Sequence, residues 1–347
     1  MSDLRPAEPL TPARRRAFLV LILACVVVAG AYVAWAATRD RTAGGAASPA
    51  PAAAPMAQPD PGGATVVFQH VSGDASNGRV AVAPAEAPRR RVLTGLTCER
   101  VHVAAGRGLC LMGEQGLTGP RYKVRIFDSR FRVRHELKVQ GLLSRARVSP
   151  DGRYGATTGF VAGHSYAKEG AFSTHTTIVD MARGTIVGNL EEFVATRDGR
   201  RVRSADVNFW GVTFARDGDG FYATMATGGR TWLMHGSISR RSMRALHENV
   251  ECPSLSPDDT RVAYKKRVEK GSVIWQLHVL DLRTMRETKL AETEAVDDQV
   301  EWLDGETVLY GMADGTIRQQ PADGSGTPRT FLDHALSPAI VAAAARS

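Results

Sequence analysis

The segment RVSPDGRYGATTGF, residues 147–160, predicts two strands joined by a tight turn. Its turn residues are Ser149, Pro150, Asp151 and Gly152. Proline presets φ at the second turn position, aspartate bonds nearby backbone N–H groups, and glycine tolerates the exit geometry. The pattern recurs, in weaker or partial form, in SLSPDDTRVAYKK (254–266), TFARDGDGFYATMA (213–226), EWLDGETVLYGM (301–312), VHVAAGRGLCLM (101–112) and HALSPAI (334–340). Such self-similarity indicates a repeat architecture.

Each repeat has a second half, in which a strand, a turn and another strand follow one another. The clearest copies are VRIFDSRFRVRHEL (124–137), TIVDMARGTIVGNL (177–190) and LHVLDLRTMRETKL (277–290). We interpret Asp128, Asp180 and Asp281 as turn-capping residues, because Asp accepts hydrogen bonds from nearby N–H groups. Four short strands in each unit of about 40–55 residues are typical of a β-propeller blade.

The count of units is six. They are 65–96 with 334–341, then 97–139, 140–194, 195–250, 251–294 and 295–333. The first unit lacks its first strand, and the C-terminal fragment is a first strand with nothing after it. We therefore expect the C-terminal strand to complete the N-terminal blade and close the ring. The predicted fold is an all-β, six-bladed propeller with four-stranded antiparallel blades over residues 64–341, and 342–347 form a C-terminal tail.

The SPDG-type turn and the strand–Asp–turn half together resemble the WD40-like propeller repeats of the TolB family. The resemblance covers residues 65 to about 341, and its sharpest copies are 149–154 and 256–261. It implies a six-bladed propeller that binds protein outside the cytoplasmic membrane. In place of the separate N-terminal α/β domain of TolB, this sequence shows an apolar segment and a linker.

That apolar segment, residues 17–37, carries no charge over 21 positions and follows a polar tail, 1–16, that ends in three arginines. A helix of this length spans a hydrocarbon core of about 30 Å. The arginines favour a cytoplasmic N-terminus, so 17–37 is predicted to be a signal-anchor helix. The alternative is a signal peptide cleaved near Ala34-Trp35-Ala36. Residues 38–63, rich in Ala, Pro and Gly, are predicted to be a disordered linker.

No catalytic, cofactor or metal site is predicted. GHSYA (163–167) lacks the last glycine of a nucleophile elbow and lies between strands. DGDG (217–220) is followed by Phe221 where a calcium loop needs an acid or Asn, and no two histidines have metal-ligand spacing. The net charge of +8 is spread along the chain, which favours a solvated basic surface.

Two features remain as candidates for a bond and a binding surface. Cys98 and Cys110 fall on adjacent predicted strands of one hairpin, where an oxidising compartment would permit a disulfide; two buried thiols are the alternative.

Two insertions, 161–175 and 195–206, are expected to project from one face of the scaffold and form the contact surface. The residues proposed to contribute are His164, Tyr166, Lys168, Arg200, Arg201 and Arg203. The densest basic neighbourhood combines Arg200, Arg201 and Arg203 with Arg240, Arg241 and Arg244.

These observations predict a non-catalytic propeller, anchored in the cytoplasmic membrane with its N-terminus inside and its blades outside. The expected partner is a protein or a cell-envelope polymer rather than nucleic acid. The alternative hypothesis is a hydrolase of glycan or peptide, with carboxylates converging at the mouth of the propeller channel.

Overall fold

The computed structural model describes residues 63–116, 119–161, 173–270 and 273–342. The predicted N-terminal tail, the predicted membrane helix and nearly all of the linker therefore lie outside the described residues, as do His164, Tyr166 and Lys168. Within the described ranges, no helix has the length and apolar character needed to cross a membrane.

The described chain consists of 26 strands and one short 3₁₀ helix, Leu190–Glu192. The strands are β1 (Thr65–His70), β2 (Arg79–Pro84), β3 (Val92–Thr97), β4 (Arg100–Ala104), β5 (Arg107–Gly116), β6 (Gly119–Asp128), β7 (Val133–Val139), β8 (Leu142–Val148), β9 (Tyr154–Val161), β10 (Ser173–Asp180), β11 (Thr185–Asn189), β12 (Val194–Arg197), β13 (Arg200–Arg201), β14 (Asn208–Phe214), β15 (Gly220–Thr227), β16 (Arg230–Ser237), β17 (Ser242–Glu248), β18 (Glu251–Leu255), β19 (Arg261–Lys270), β20 (Val273–Asp281), β21 (Glu287–Lys289), β22 (Glu301–Trp302), β23 (Thr307–Gly311), β24 (Ile317–Pro321), β25 (Arg329–Leu332) and β26 (Ala335–Val341).

These strands form six sheets, each with a four-stranded antiparallel core. In chain order the blades are β26-β1-β2-β3, β4–β7, β8–β11, β14–β17, β18–β21 and β22–β25. The first strand of each blade lies innermost, and these inner strands pack against one another around the axis. The prediction of six four-stranded antiparallel blades is confirmed.

Blade 1 takes its inner strand from the far end of the chain. β26 pairs antiparallel with β1, so that Thr65 lies opposite Val341 and His70 opposite Ala335. A second contact joins β26 to blade 2, because Ser337 Oγ donates to Val101 O at 2.9 Å and accepts the Val101 N–H at 3.1 Å. The C-terminal strand is therefore bonded to its neighbours on both sides.

Blade 4 departs from the prediction of a polar loop over 195–206. Part of this segment folds into a hairpin of β12 and β13, and β12 pairs in parallel with the outer strand β17. The hairpin turn is Asp198-Gly199, and both residues have positive φ, 51° and 74°. Asp-Gly is the preferred pair for a two-residue turn of this kind. These two strands were not predicted, because the arginines that flank the turn leave neither strand with an alternation of apolar residues.

The hydrophobic core lies between neighbouring blades rather than at one centre. Its largest cluster joins blades 3 and 4, where Phe193, Phe209 and Phe221 pack with Met225 and Trp232. Similar clusters fill the other blade interfaces described. Each blade thus buries one face against the next, which is why a single blade would not be stable alone.

Candidate functional site

The SPDG turns shape one end of the propeller axis. In the first, Ser149 Oγ donates to Asp151 Oδ1 at 2.5 Å and accepts the Tyr154 N–H at 2.9 Å. Ser256 and Asp258 repeat this geometry, with the Ser256 Oγ to Asp258 Oδ1 distance at 2.6 Å. The side chains that define the sequence motif are therefore used to fix the turn.

The aspartates in the second half of each repeat also cap turns, as the sequence suggested. Asp128 Oδ1 accepts the N–H groups of Arg130 and Arg132, at 2.9 and 3.0 Å. Asp180 and Asp281 each accept two N–H groups in the same way. The hydrogen bond from the Arg183 N–H is the main reason why the pKa of Asp180 lies below its usual value. These carboxylates are structural.

A cavity of about 630 Å³ opens on the axis at the end where the SPDG turns lie. Residues from all six blades line it, among them His102, Arg147, Thr213, Ser254, Glu301 and Ile340. Its wall includes the apolar side chains of Phe214, Leu255, Trp302 and Leu303, and the buried charged residues Arg147 and Glu301 form what we call its floor. A volume in this range is typical of sites that hold a small ligand or a few side chains of a partner.

The floor is organised by a buried ion pair between Arg147 on β8 and Glu301 on β22. Both residues are only 8% exposed. Arg147 Nη1 donates to Glu301 Oε2, and its Nη2 donates to Val300 O at 2.9 Å. Glu301 Oε1 accepts the Ile340 N–H at 3.1 Å. One charged pair therefore joins inner strands of blades 3, 6 and 1.

His102 on β4 completes this axial cluster, defined as His102, Arg147 and Glu301. The Val148 N–H donates to His102 Nδ1 at 3.1 Å, which assigns Nδ1 as an acceptor. Burial, with Arg147 nearby, lowers the pKa of His102. His102 Nε2 lies 3.0 Å from Arg147 Nη1 and 3.4 Å from Glu301 Oε2, so the ring contacts both members of the ion pair.

The same environment keeps Glu301 ionised. Burial is the largest single effect and raises the pKa of Glu301, but the charge of Arg147, the contact with His102 and the hydrogen bond from the Ile340 N–H together outweigh it, and the pKa falls to about 2. A carboxylate with so low a pKa is unsuited to proton transfer near neutral pH.

The other carboxylates in the lining of this cavity are also engaged. Asp259 Oδ2 accepts the Arg216 N–H from the neighbouring blade at 3.0 Å. Asp304 Oδ1 accepts the N–H groups of Glu306 and Thr307, each at 2.7 Å. In the described part of the cavity, each of the three carboxylates thus accepts at least one hydrogen bond.

The axial cluster was missed in the sequence, although a signal exists. In RARVSP the two arginines alternate with Ala146 and Val148, so a charged residue occupies the side of the strand that faces the axis. In EWLD, Glu301 likewise precedes the turn on an otherwise apolar strand. Two repeats thus carry charges of opposite sign at the same strand position. This pattern indicates a buried ion pair, but it becomes visible only after the repeats have been superimposed.

The structure places the predicted basic residues elsewhere. Arg200, Arg201 and Arg203 line a second cavity, of about 710 Å³, together with the β15–β16 turn at Gly228. The axial cavity instead adjoins the β14–β15 turn, through Arg216. Since these two turns lie at opposite ends of β15, the two cavities lie at opposite ends of blade 4.

The second group of predicted arginines does not join this basic cavity. Its lining does not include Arg240, Arg241 or Arg244. Arg241 instead bonds Glu192 at 2.9 Å and covers the ring of Phe193. The expected single basic neighbourhood is therefore split into two.

The structure pairs Cys98 and Cys110 in a disulfide within the core between blades 1 and 2. Cys252 is buried and free. No group of three or more potential metal ligands occurs among the described residues.

The axial ion pair yields a prediction about stability. Replacing Arg147 with Met leaves the Glu301 carboxylate buried without its cation, so the free energy of unfolding should fall by about 3–5 kcal/mol. The double variant Arg147→Met/Glu301→Gln removes both charges and should be no less stable than Arg147→Met alone. Urea unfolding of the wild type, the single variants and the double variant measures this coupling.

Arg183→Met is the matched control, because Arg183 forms an ion pair with Asp180 but is 80% exposed. Its loss should cost less than about 1 kcal/mol. Equal effects of the Arg147 and Arg183 substitutions would contradict the role given to the axial pair.

Comparison with known proteins shows which solved structures share this fold. No protein-family model matches the chain, and no curated protein matches it in sequence. Among solved structures, TolB from Acinetobacter baumannii matches with a TM-score of 0.55 and 16% identity, over 80% of this chain and 66% of the TolB chain. The chain thus spans just under two thirds of TolB.

A chain of a nidogen/laminin complex matches with a TM-score of 0.55 and 11% identity, over 81% of this chain and 99% of that one. A puromycin-hydrolyzing peptidase from Mycobacterium tuberculosis matches with a TM-score of 0.48 and 16% identity, over 78% of this chain and 44% of the peptidase. Similarity at such identities shows the fold alone. With the six sheets described above, the first two matches show that this chain has a six-bladed β-propeller fold like that of TolB.

Proposed function

We propose that this protein is a non-catalytic binding propeller, tethered to the cytoplasmic membrane, which holds a partner protein or envelope polymer through the axial cavity. The observation that carries the proposal is the cavity itself, which is walled by residues of all six blades. Its apolar wall and charged floor suit an extended segment that inserts a few side chains. The SPDG turns and the axial cluster hold this wall rigid, which lowers the entropic cost of binding.

A non-catalytic role is supported by the state of the carboxylates. Hydrolysis of a glycosidic bond needs one carboxylic acid and one free carboxylate on opposite sides of the scissile bond. In the described lining, Glu301 is held by Arg147, and Asp259 and Asp304 are held by backbone N–H groups. The described lining therefore gives less support to the alternative of a glycan hydrolase.

The insertions at 161–175 and 195–206 were expected to form the contact surface. The second insertion contributes to the basic cavity and not to the axial one. We therefore assign the principal partner to the axial cavity, and the role of the first insertion stays a prediction.

The axial cavity can be tested with a substitution that fills it. Gly305 lines the mouth, has ordinary φ, and has open space around the position of a Cβ atom. Gly305→Trp should therefore leave stability unchanged but reduce capture of the partner, after cross-linking in intact cells, by about tenfold or more. Gly95→Trp is the matched control, because Gly95 also faces open space but lies on the outer strand β3.

Capture that is equal in Gly305→Trp and Gly95→Trp would contradict binding at the axis. A hydrolytic activity of the wild type that Gly305→Trp abolishes would favour the hydrolase hypothesis instead.

The proposed location outside the cytoplasm rests on the sequence of residues 17–37 and is supported by the Cys98–Cys110 disulfide. Disulfides persist in oxidising compartments and are rare where thiols are kept reduced. We expect both cysteines to resist a maleimide reagent in protein denatured directly from cells, and to react after reduction. Protease added to intact spheroplasts should degrade the propeller. Free thiols at Cys98 and Cys110, or protection from the protease, would place the propeller inside.

We further infer that pairing of β26 with β1 closes the ring of blades. Support comes from the bonds that β26 forms to both blade 1 and blade 2. Removal of residues 335–347 should expose strand edges and cause loss of cooperative unfolding or aggregation, as measured by thermal denaturation. Removal of 343–347 alone is the control and should leave the melting temperature unchanged. A stable, monomeric 335–347 deletion would refute closure by this strand.

A further inference from the structure

The basic cavity at the other end of blade 4 carries an inference separate from the axial site. Five arginines line it: Arg197, Arg200, Arg201, Arg203 and Arg230. The lining contains one carboxylate, that of Asp198, which is 91% exposed and lies 3.8 Å from Arg197 Nε. An ion pair so exposed and so long neutralises little charge.

Two of these arginines are committed to the wall of the cavity. The guanidinium carbons of Arg197 and Arg230 lie 4.6 and 5.6 Å from the ring centroid of Trp232, which is 6% exposed. Arg230 also pairs with Glu248 through two N–H groups. Trp232 and Glu248 thus hold these two cations in place.

The other three arginines have no such partner. Within the described residues, Arg200, Arg201 and Arg203 form no ion pair with a carboxylate, and all three belong to a segment of four residues. This segment extends over at most about 10 Å. All three line the one cavity, and the exposed Asp198 is the single carboxylate in its described lining, which favours binding of an anion that carries several negative groups.

The segment that presents them is fixed in position at both ends. Thr196 Oγ1 donates to Met243 O at 3.2 Å, and the Val202 N–H donates to Ala195 O at 2.9 Å. After the arginines, Asp206 accepts the hydroxyl of Thr227 and the N–H of Gly228, each at 2.6 Å. Its pKa is lowered to about 2, first by the hydroxyl of Ser204 and then by that of Thr227. The backbone that carries the arginines is therefore preorganised.

We propose that this cavity binds a soluble oligophosphate, a chain of several linked phosphate groups. Arginine forks match phosphate oxygens in pairs of parallel hydrogen bonds, and a chain can reach guanidinium groups spread over about 10 Å. A molecule with a single phosphate reaches only part of this set. The volume of about 710 Å³ accommodates such a chain.

The test is calorimetric titration of the full chain, purified in neutral detergent, with inorganic tripolyphosphate. The variant Arg200→Gln/Arg201→Gln should bind about tenfold more weakly or worse, since each lost charged hydrogen bond contributes substantially. The matched control is Arg240→Gln/Arg244→Gln, which removes the same charge from exposed positions in the same blade, outside the cavity. The control should bind within about twofold of the wild type, since charges outside the cavity are screened.

Glycerol 3-phosphate, which carries the single phosphate of a lipid headgroup, is the second ligand and should bind at least about tenfold more weakly than tripolyphosphate. Three results would overturn the proposal: no binding of tripolyphosphate by the wild type, equal losses in the two double variants, or equal affinity for glycerol 3-phosphate. The last would indicate recognition of a lone phosphate.

Discussion

The buried pair of Arg147 and Glu301 is the contact on which the arrangement at the axis depends. Each blade packs mainly on its two neighbours, so contacts that reach across the axis are few by construction. Arg147 belongs to blade 3 and Glu301 to blade 6, which are not adjacent around the ring. Their ion pair, with the bond from the Ile340 N–H, joins three inner strands in a single cluster.

A buried ion pair seldom adds much stability relative to an apolar replacement, because two charges must leave water. What matters for this ion pair is where it lies, between strands of different blades. Glu301 has one oxygen on Arg147 and the other on the Ile340 N–H, so displacement of any of the three strands leaves a buried charge or donor unsatisfied. The pair thus selects one arrangement of the inner strands, and the shape of the axial cavity follows from that arrangement.

The repeats were readable from the sequence because they rest on local chemistry. Ser149-Pro150-Asp151-Gly152 specifies its turn through bonds within a few residues, and the apolar strand that follows needs only alternation to be recognised. Six such units leave few possible architectures. The hairpin at 194–201 was not predicted, because its turn residues, Asp198-Gly199, are flanked by arginines and its strands have no apolar face.

The sites were less predictable, because they depend on residues that are far apart in sequence. Arg147 and Glu301 are 154 positions apart, and neither matches a catalytic or metal-binding spacing. Arg200, Arg201 and Arg203 were visible as a basic run, but only the fold shows that Arg197 and Arg230 join them while Arg240, Arg241 and Arg244 do not.

The axial cluster can be examined through two backbone amides that depend on it. The Ile340 N–H donates to Glu301, and the Val148 N–H donates to His102. Residue-resolved hydrogen–deuterium exchange of the native protein measures how often these bonds open. If the cluster holds the inner strands together, both amides should exchange only through global unfolding, as slowly as the most protected strands. Exchange at the rate of exposed turn amides would show that the cluster does not hold the inner strands together.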